Sequence, residues 1–384
     1  MHFFWGMASS MIFSLLPVFI VGELGGSAKS FGFLEGAVVF LSFVAKLFAG
    51  FFMDIFKKKL PMLKTGTILT VLSKFFLACA PSVFFVFISK SLDRFAKGLR
   101  QAPSDTILAE ISPKKGVAYS LRYMMNLSGF LIGSFVTSLI VYFIGQNFRL
   151  IFSFAVIPTL VAFYILNTKI KYSDEIDGPV RSKNIWQIKD IALLPKEYWK
   201  FLIVVTLLMF NRFSEGFITL KAKAMLPEYV GSFPLFMSMY EICAVLVAIP
   251  VGRLSDKFDK KLILLCGISF LVIADYYGIY ADNLQTVIAI YIFAGIHMGA
   301  TQGIIGSIIA KSANKNLIGT AFAIFYGVEG TVLLCSNSLA GMSFKFAEFI
   351  GLPVSSGPFL MGIVASLSAI VYIIVWRLKE IKGK

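Results

Sequence analysis

Charge is what this chain has least of. Only 15% of its 384 residues are Asp, Glu, Lys or Arg, where soluble domains carry about 25%. A water-facing surface needs more, so an ordinary soluble enzyme and a disordered chain are both excluded. Histidine is nearly missing: His2 and His297 stand too far apart for a histidine metal site. The four cysteines, Cys79, Cys243, Cys266 and Cys335, lie in apolar runs without Cys-x-x-Cys spacing. That excludes a disulfide scaffold and a zinc site, so no metal and no cofactor is expected. No stretch reads Gly-x-x-x-x-Gly-Lys-(Ser/Thr), so ATP is not expected as the direct energy source. The first apolar run has no basic start, and no cleavable signal is expected.

What fills the chain instead is hydrocarbon. Hydrophobic residues make up 58% of it, Phe alone contributes 40, and mean hydropathy is +0.82. A spanning helix needs about 20 mostly apolar residues. That ruler marks twelve spans: 3–22, 31–53, 62–80, 82–109, 117–144, 149–167, 200–220, 232–252, 262–280, 284–310, 318–341 and 356–377. The runs are continuous rather than alternating, which excludes a β-barrel. The expected fold is an all-α membrane protein with twelve transmembrane helices in two six-helix bundles. The bundles would be residues 1–167 and 200–384, joined by a polar cytoplasmic linker at 168–199. Within the linker, 185–191 could lie as a short amphipathic helix on the membrane surface.

The net charge of +15 has a pattern. With both termini in the cytoplasm, 24 Lys and Arg fall at the inner loops, their margins and the tail. Five fall outside: Lys29, Arg149, Lys221, Lys223 and Lys345. This bias sets a multi-pass orientation and accounts for the basic excess without nucleic acid. The seven remaining bases lie inside spans, where they meet seven acids.

Two loops repeat. Gly50, Asp54, Lys58 and Lys59 follow the second span at the same spacing as Gly252, Asp256, Lys260 and Lys261 after the eighth. A repeat between halves marks a transporter built from two related bundles. With Lys257 after Asp256, these loops resemble the signature of the major facilitator superfamily, although Ile55, Leu60, Lys57 and Asp259 depart from it. Arg94-Phe-Ala-Lys97-Gly98 resembles the family's fourth-helix motif, with Lys97 for Gln. The longer string from Asp93 through Arg100 and Pro103 to Asp105 is similar to a bacterial subgroup, as is Ser214-Glu215-Gly216-Phe217. The resemblance implies a gating role for the loops. Asp54 would face the start of the eleventh helix near Ile318, and Asp256 the start of the fifth near Gly116. A carboxylate at a helix start gains about 0.3–2 kcal/mol.

The fourth span carries the densest intramembrane charge. Lys90, Asp93, Arg94, Lys97, Arg100 and Asp105 fall inside an arc of roughly 140°. Charge at mid-bilayer must face protein or water. The stripe is therefore expected to face the bundle interior, with Asp93 in reach of Lys90 and Lys97 at helical spacing. It reads as a cavity wall for the charged part of a solute, or as a self-neutralising structural network. Arg212 and Glu215 share the seventh span at three-residue spacing and are expected to pair. Glu241 and Glu329 lack a base in their own spans and are proton carriers by expectation, with Glu35 beside them. Glu35 and Asp275 lie toward outer ends, where water can reach them. Gly129 and Gly133 in the fifth span, and Gly295, Gly299 and Gly303 in the tenth, permit close helix packing. In the fifth span the antiporter group's further glycines are replaced by Ser134, Thr137 and Ser138.

The expected function is secondary transport of a small organic solute across a bacterial cytoplasmic membrane by alternating access. Its partners would be the solute, protons and the lipid bilayer, and the protein would be monomeric. Export is favoured by the subgroup resemblance. The alternatives are uptake of an ionic metabolite or chelator, or a sensor or scaffold that moves nothing. A membrane-embedded enzyme lacks support, since the one long loop holds no His or Cys.

Overall fold

A computed structural model describes residues 1–56, 59–111, 115–170, 193–255, 257–312 and 318–382. Side chains are described for these apart from 46–56, 102, 105, 106, 108–111, 115–120, 123, 310–312, 318–320, 323, 381 and 382. Lys58, Asp256 and the linker's 171–192 lie outside the described residues, and so do the side chains of Asp54 and Asp105.

The described residues are almost entirely helical. Helix α1, His2–Phe13, is continued by Leu16–Val18 and a π turn at Phe19–Glu23. Four long helices follow: α2, Ala28–Phe56; α3, Lys59–Ala78; α4, Val83–Ile111; and α5, Lys115–Ile144. Span α6 covers Phe148–Thr168. Helices α7, Lys196–Met209, and α8, Gly216–Met225, divide the seventh span between them. Then come α9, Phe233–Leu254; α10, Lys260–Tyr280; α11, Leu284–Ser312; α12, Ile318–Phe349; and α13, Gly357–Lys382. Nine stretches among the described residues are long and apolar enough to cross a membrane. The other three spans marked in the sequence correspond to α4, with its charges, the divided α7–α8, and α12.

Two compact units partition the chain. The first comprises Met1–Gly26, Ala37–Lys183 and Glu228–Ser238; the second comprises Ser27–Gly36, Asn184–Pro227 and Met239–Lys384. Lipid tails are as apolar as Leu, so burial alone does not drive helices together there; close packing and hydrogen bonds do. In the first unit, α1 and α5 meet backbone to backbone. A Cβ on Gly129 would collide with the Phe3 carbonyl, and one on Gly133 with Ser10 and Met7. From the other side, a Cβ on Gly6 would strike the Asn126 carbonyl. Trp5, Leu63, Ile107, Ala162 and Leu166 pack together in this unit.

The second unit buries a larger cluster that includes Tyr198, Phe201, Leu208, Ile268, Phe325 and Trp376. The Tyr198 hydroxyl donates to the Ala321 carbonyl at 2.8 Å. Gly295 and Gly299 of α11 sit on the Tyr240 and Ala244 carbonyls of α9, whereas Gly303 meets nothing within 4 Å. Gly32 and Gly36 pack against Asn337 and Leu334 of α12. Local chemistry sets the helix starts: Asn147 accepts from Leu150 N at 3.1 Å, and Asp259 from Lys261 N at 2.9 Å. Such caps are each worth about 1 kcal/mol. The outward faces stay apolar, with Phe84, Phe143, Leu246 and Val371 all exposed. A water-soluble protein would not leave so many uncovered.

One sequence expectation is corrected here. Lys221 does not lie in a loop. It sits in α8 at 0% exposure, its ammonium donating to Ser356 Oγ at 3.1 Å and toward the Ile279 carbonyl at 3.5 Å. Ile279 belongs to the last turn of α10, where a helix carries negative partial charge, so the cation is held by a helix end.

The glycine seam gives a test. Gly129→Ala is expected to cost about 1–3 kcal/mol through overpacking, read as a lower melting temperature in detergent. Gly303→Ala, into open space, is expected to leave the melting temperature unchanged or raise it.

Candidate functional site

In the first unit, Asp93 is the pivot of the α4 charges. Its carboxylate pairs with Lys74 of α3 at 3.1 Å, at 7% and 24% side-chain exposure respectively. Ser73 Oγ donates to it at 3.3 Å, and Ser89 Oγ donates to the Ser73 carbonyl at 2.6 Å. Its strongest partner is thus on the neighbouring helix. Arg94 and Arg100 add their fields to the same carboxylate. Arg100 is buried, with its guanidinium 4.4 Å from the Trp5 ring centre. Its Nη1 has no hydrogen-bond partner among the described residues. Arg94 is half-buried and Lys97 exposed, so the stripe is not uniformly interior. Lys59, from the first loop motif, is buried.

In the second unit the seventh span is broken. The helix stops at Met209 and restarts at Gly216. Backbone freed at membrane depth must find partners in protein or water, and α12 supplies them. Ser336 Oγ donates to the Phe210 carbonyl at 2.8 Å, and Asn337 Oδ1 accepts from Ser214 N at 2.7 Å. Ser214 Oγ then accepts from Gly216 N, the first residue of α8, at 3.2 Å.

Two charged side chains leave this break. Arg212 donates to Gln302 Oε1 at 2.7 Å and to Thr301 Oγ1, both on α11. Its Nη2 also lies 3.5 Å from His297 Nε2. His297 Nδ1 is 2.8 Å from the Gly267 carbonyl, which assigns the proton to Nδ1 and leaves Nε2 as acceptor. Glu215 accepts from the Tyr240 hydroxyl of α9 at 3.1 Å. The expected Arg212–Glu215 ion pair does not form, because helical spacing is lost where the backbone unwinds.

The glutamates that the sequence scattered over four spans converge here. Glu215 interacts electrostatically with Glu35 and Arg212, Glu241 with Glu215, and Arg212 with Glu329. Glu215 and Glu329 therefore act on the Arg212 guanidinium, while Glu35 and Glu241 act on the Glu215 carboxyl. Such a set can exchange protons or hold a cationic group. Glu35 and Asp275 are not solvated ends: they are 4% and 2% exposed. Of the second loop motif, Lys257 is exposed and Gly252 meets nothing within 4 Å. Lys261 is bound to Glu380 at 2.6 Å and sits 3.8 Å from the Trp376 ring centre. Among the described residues no cluster suits a metal ion.

Sequence reasoning missed Tyr240, His297, Thr301, Gln302, Ser336 and Asn337. Polar residues within apolar runs were the available signal. Nothing in the run from Phe201 to Leu220 announces the break, since it holds neither proline nor more than one glycine.

The ion pair of the first unit is open to test. Asp93→Asn should destabilise the protein by about 3 kcal/mol by stranding the Lys74 charge. The double variant Lys74→Met/Asp93→Leu should recover most of that in thermal unfolding. Equal losses from single and double variants would contradict the pairing.

Comparison with known proteins agrees with this architecture. The profile of the Major Facilitator Superfamily matches residues 1–229 and 204–384. An uncharacterized MFS-type transporter of Methanocaldococcus jannaschii is 25% identical over 350 residues, covering 89% of this chain and 86% of that protein. A homolog of the multi-drug resistance efflux pump PmrA from Lactococcus lactis is 23% identical over 357 residues, covering 87% and 82%. The crystal structure of the nucleoside transporter NupG superposes with TM-score 0.81 at 13% identity, covering 98% of this chain and 96% of that one. At that identity the likeness shows the fold alone. Matched over essentially its whole length, this all-α, multi-pass membrane chain belongs to the Major Facilitator Superfamily of transporters.

Proposed function

We propose that this chain is a proton-coupled secondary transporter that exports a small organic solute across a cytoplasmic membrane, with both termini inside. The observation that carries the reading is the linked set of buried charges at the break in the seventh span, where Glu215 and Glu329 act on Arg212 and Glu35 and Glu241 act on Glu215. Discontinuous helices supply ion and substrate sites in transporters because their freed backbone and end dipoles face the ligand. Carboxyls that repel one another at such a break are groups that protons or a cationic solute can neutralise. The likeness to a multi-drug efflux pump homolog supports the export direction.

The first unit carries its own intramembrane charges on α4. Asp93, which faces Lys74, and Arg94, Lys97, Arg100 and Asp105 are assigned to the solute pathway as intramembrane charge that must face protein or water. Lipophilic cations therefore lead the substrate panel. The loop motifs, Gly50, Asp54, Lys58 and Lys59 with Gly252, Asp256, Lys257 and Lys261, are assigned to gating on the family pattern. A sensor or scaffold on this fold would have no need of buried carboxyls around a broken helix.

Liposomes test the reading, with ethidium as first probe. Vesicles made acid inside are expected to accumulate ethidium through the wild type. Arg212→Ala and Glu215→Gln should each cut the initial rate about tenfold or more, the size of losing one strong polar contact. Flux independent of the gradient would remove proton coupling. Accumulation only with acid outside would reverse the direction. Folded protein that moves no compound of the panel would favour the scaffold.

A further inference from the structure

One buried carboxyl stands apart from the glutamate cluster. Asp275 of α10 is 2% exposed and lies inside a spanning helix. Asn211 Nδ2 donates to its Oδ2 at 2.5 Å and to Ser366 Oγ of α13 at 2.6 Å. Asn211 is itself 3% exposed, and its Oδ1 has no hydrogen-bond partner among the described residues. Gly362 makes this fit possible, because a Cβ there would collide with the amide.

The charged and titratable groups on every packed element are committed elsewhere. Lys221 of α8 holds the Ile279 carbonyl and Ser356. His297 of α11 faces Gly267 and Arg212. Tyr291 of α11 shares a bond with Thr219. Arg212 and Glu215 are turned to α11 and α9. On α10 itself Lys261 binds Glu380, and on α13 Arg377 binds Asp259. No cation forms an ion pair with Asp275 among the described residues. An ionised carboxylate in that setting has no compensating charge, so the neutral acid is favoured.

Asn211 is what makes this more than a satisfied core acid. It lies in the break, one residue before Arg212 and four before Glu215. Its amide can meet the carboxyl in two ways. With Nδ2 toward Asp275, as here, it donates to the carboxyl in either protonation state. With Oδ1 toward Asp275, only a protonated carboxyl can complete the bond. The proton on Asp275 and the orientation of Asn211 are therefore linked, and Asn211 is part of the backbone that aims Arg212.

We propose that Asp275 is a proton-binding site whose occupancy, read by Asn211, positions the break in the seventh span and so couples proton movement to solute binding at Arg212. Asp275 is a positioning residue here and touches no solute. The coupling half rests on the reading above; the proton site does not.

Two measurements test it. Infrared difference spectra at neutral pH, wild type minus Asp275→Asn, need no solute and are expected to show a protonated-carboxyl band. Absence of that band overturns the proton site. In liposomes, Asp275→Asn is expected to lose ethidium accumulation driven by a pH gradient, at least tenfold, while keeping ethidium counterflow, which needs no net proton movement. The introduced amide mimics the neutral acid and keeps the Asn211 contact, so the variant should fold; its melting temperature is checked first, with Asp275→Glu as the second variant that restores a proton. Wild-type accumulation in Asp275→Asn, or equal loss of accumulation and counterflow, overturns the coupling. A band present in a wild type that accumulates no ethidium would refute the transport reading for this probe and leave the proton site standing.

Discussion

Hydrocarbon gives a polar group nothing to bond to, and most of the polar architecture of this chain follows from that constraint. Each interruption of helical bonding and each intramembrane charge must be answered by protein or water. The break in the seventh span persists because Ser336 and Asn337 reach across to its stranded carbonyl and N–H. Lys221 persists fully buried because the end of α10 and Ser356 receive its ammonium. Asp93 persists because Lys74 stands opposite it. These groups are costly enough that their positions are informative wherever they occur.

The same constraint separates packing from chemistry. Where helices only pack, the chain uses small residues and carbonyl-to-glycine contact, as along the α1–α5 seam at Gly129 and Gly133. At Arg212 and Glu215 it gives up regular helix. Arg212 and Glu215 leave the break in different directions, one toward α11 and one toward α9. An intact helix would hold them about a turn apart on one face, close enough to neutralise each other. Breaking the helix keeps both charges available.

Much of this could be read in advance. Apolar runs of spanning length, the surplus of Lys and Arg at one set of loops, and the repeat at Gly50 and Gly252 pointed to the fold before any coordinates. The glutamates were visible as anomalies within apolar runs, each on its own span. Their convergence was not visible, because a single chain without tertiary contacts says nothing about which helix faces which. Asp275 and Lys221 were misread for a related reason: position along a span gives depth in the bilayer, but burial depends on what the neighbouring helices bring.

The sequence by itself determined the solvent in which this protein folds and the superfamily, because transfer of about 20 apolar residues into lipid is a property of the segment alone. Tertiary structure decided where a helix breaks, which carboxyls act on Arg212 and on one another, and that Asn211 joins Asp275 to that break. These are outcomes of competition between local helical bonds and partners supplied from α9 to α13, and local propensity holds no information about the partners.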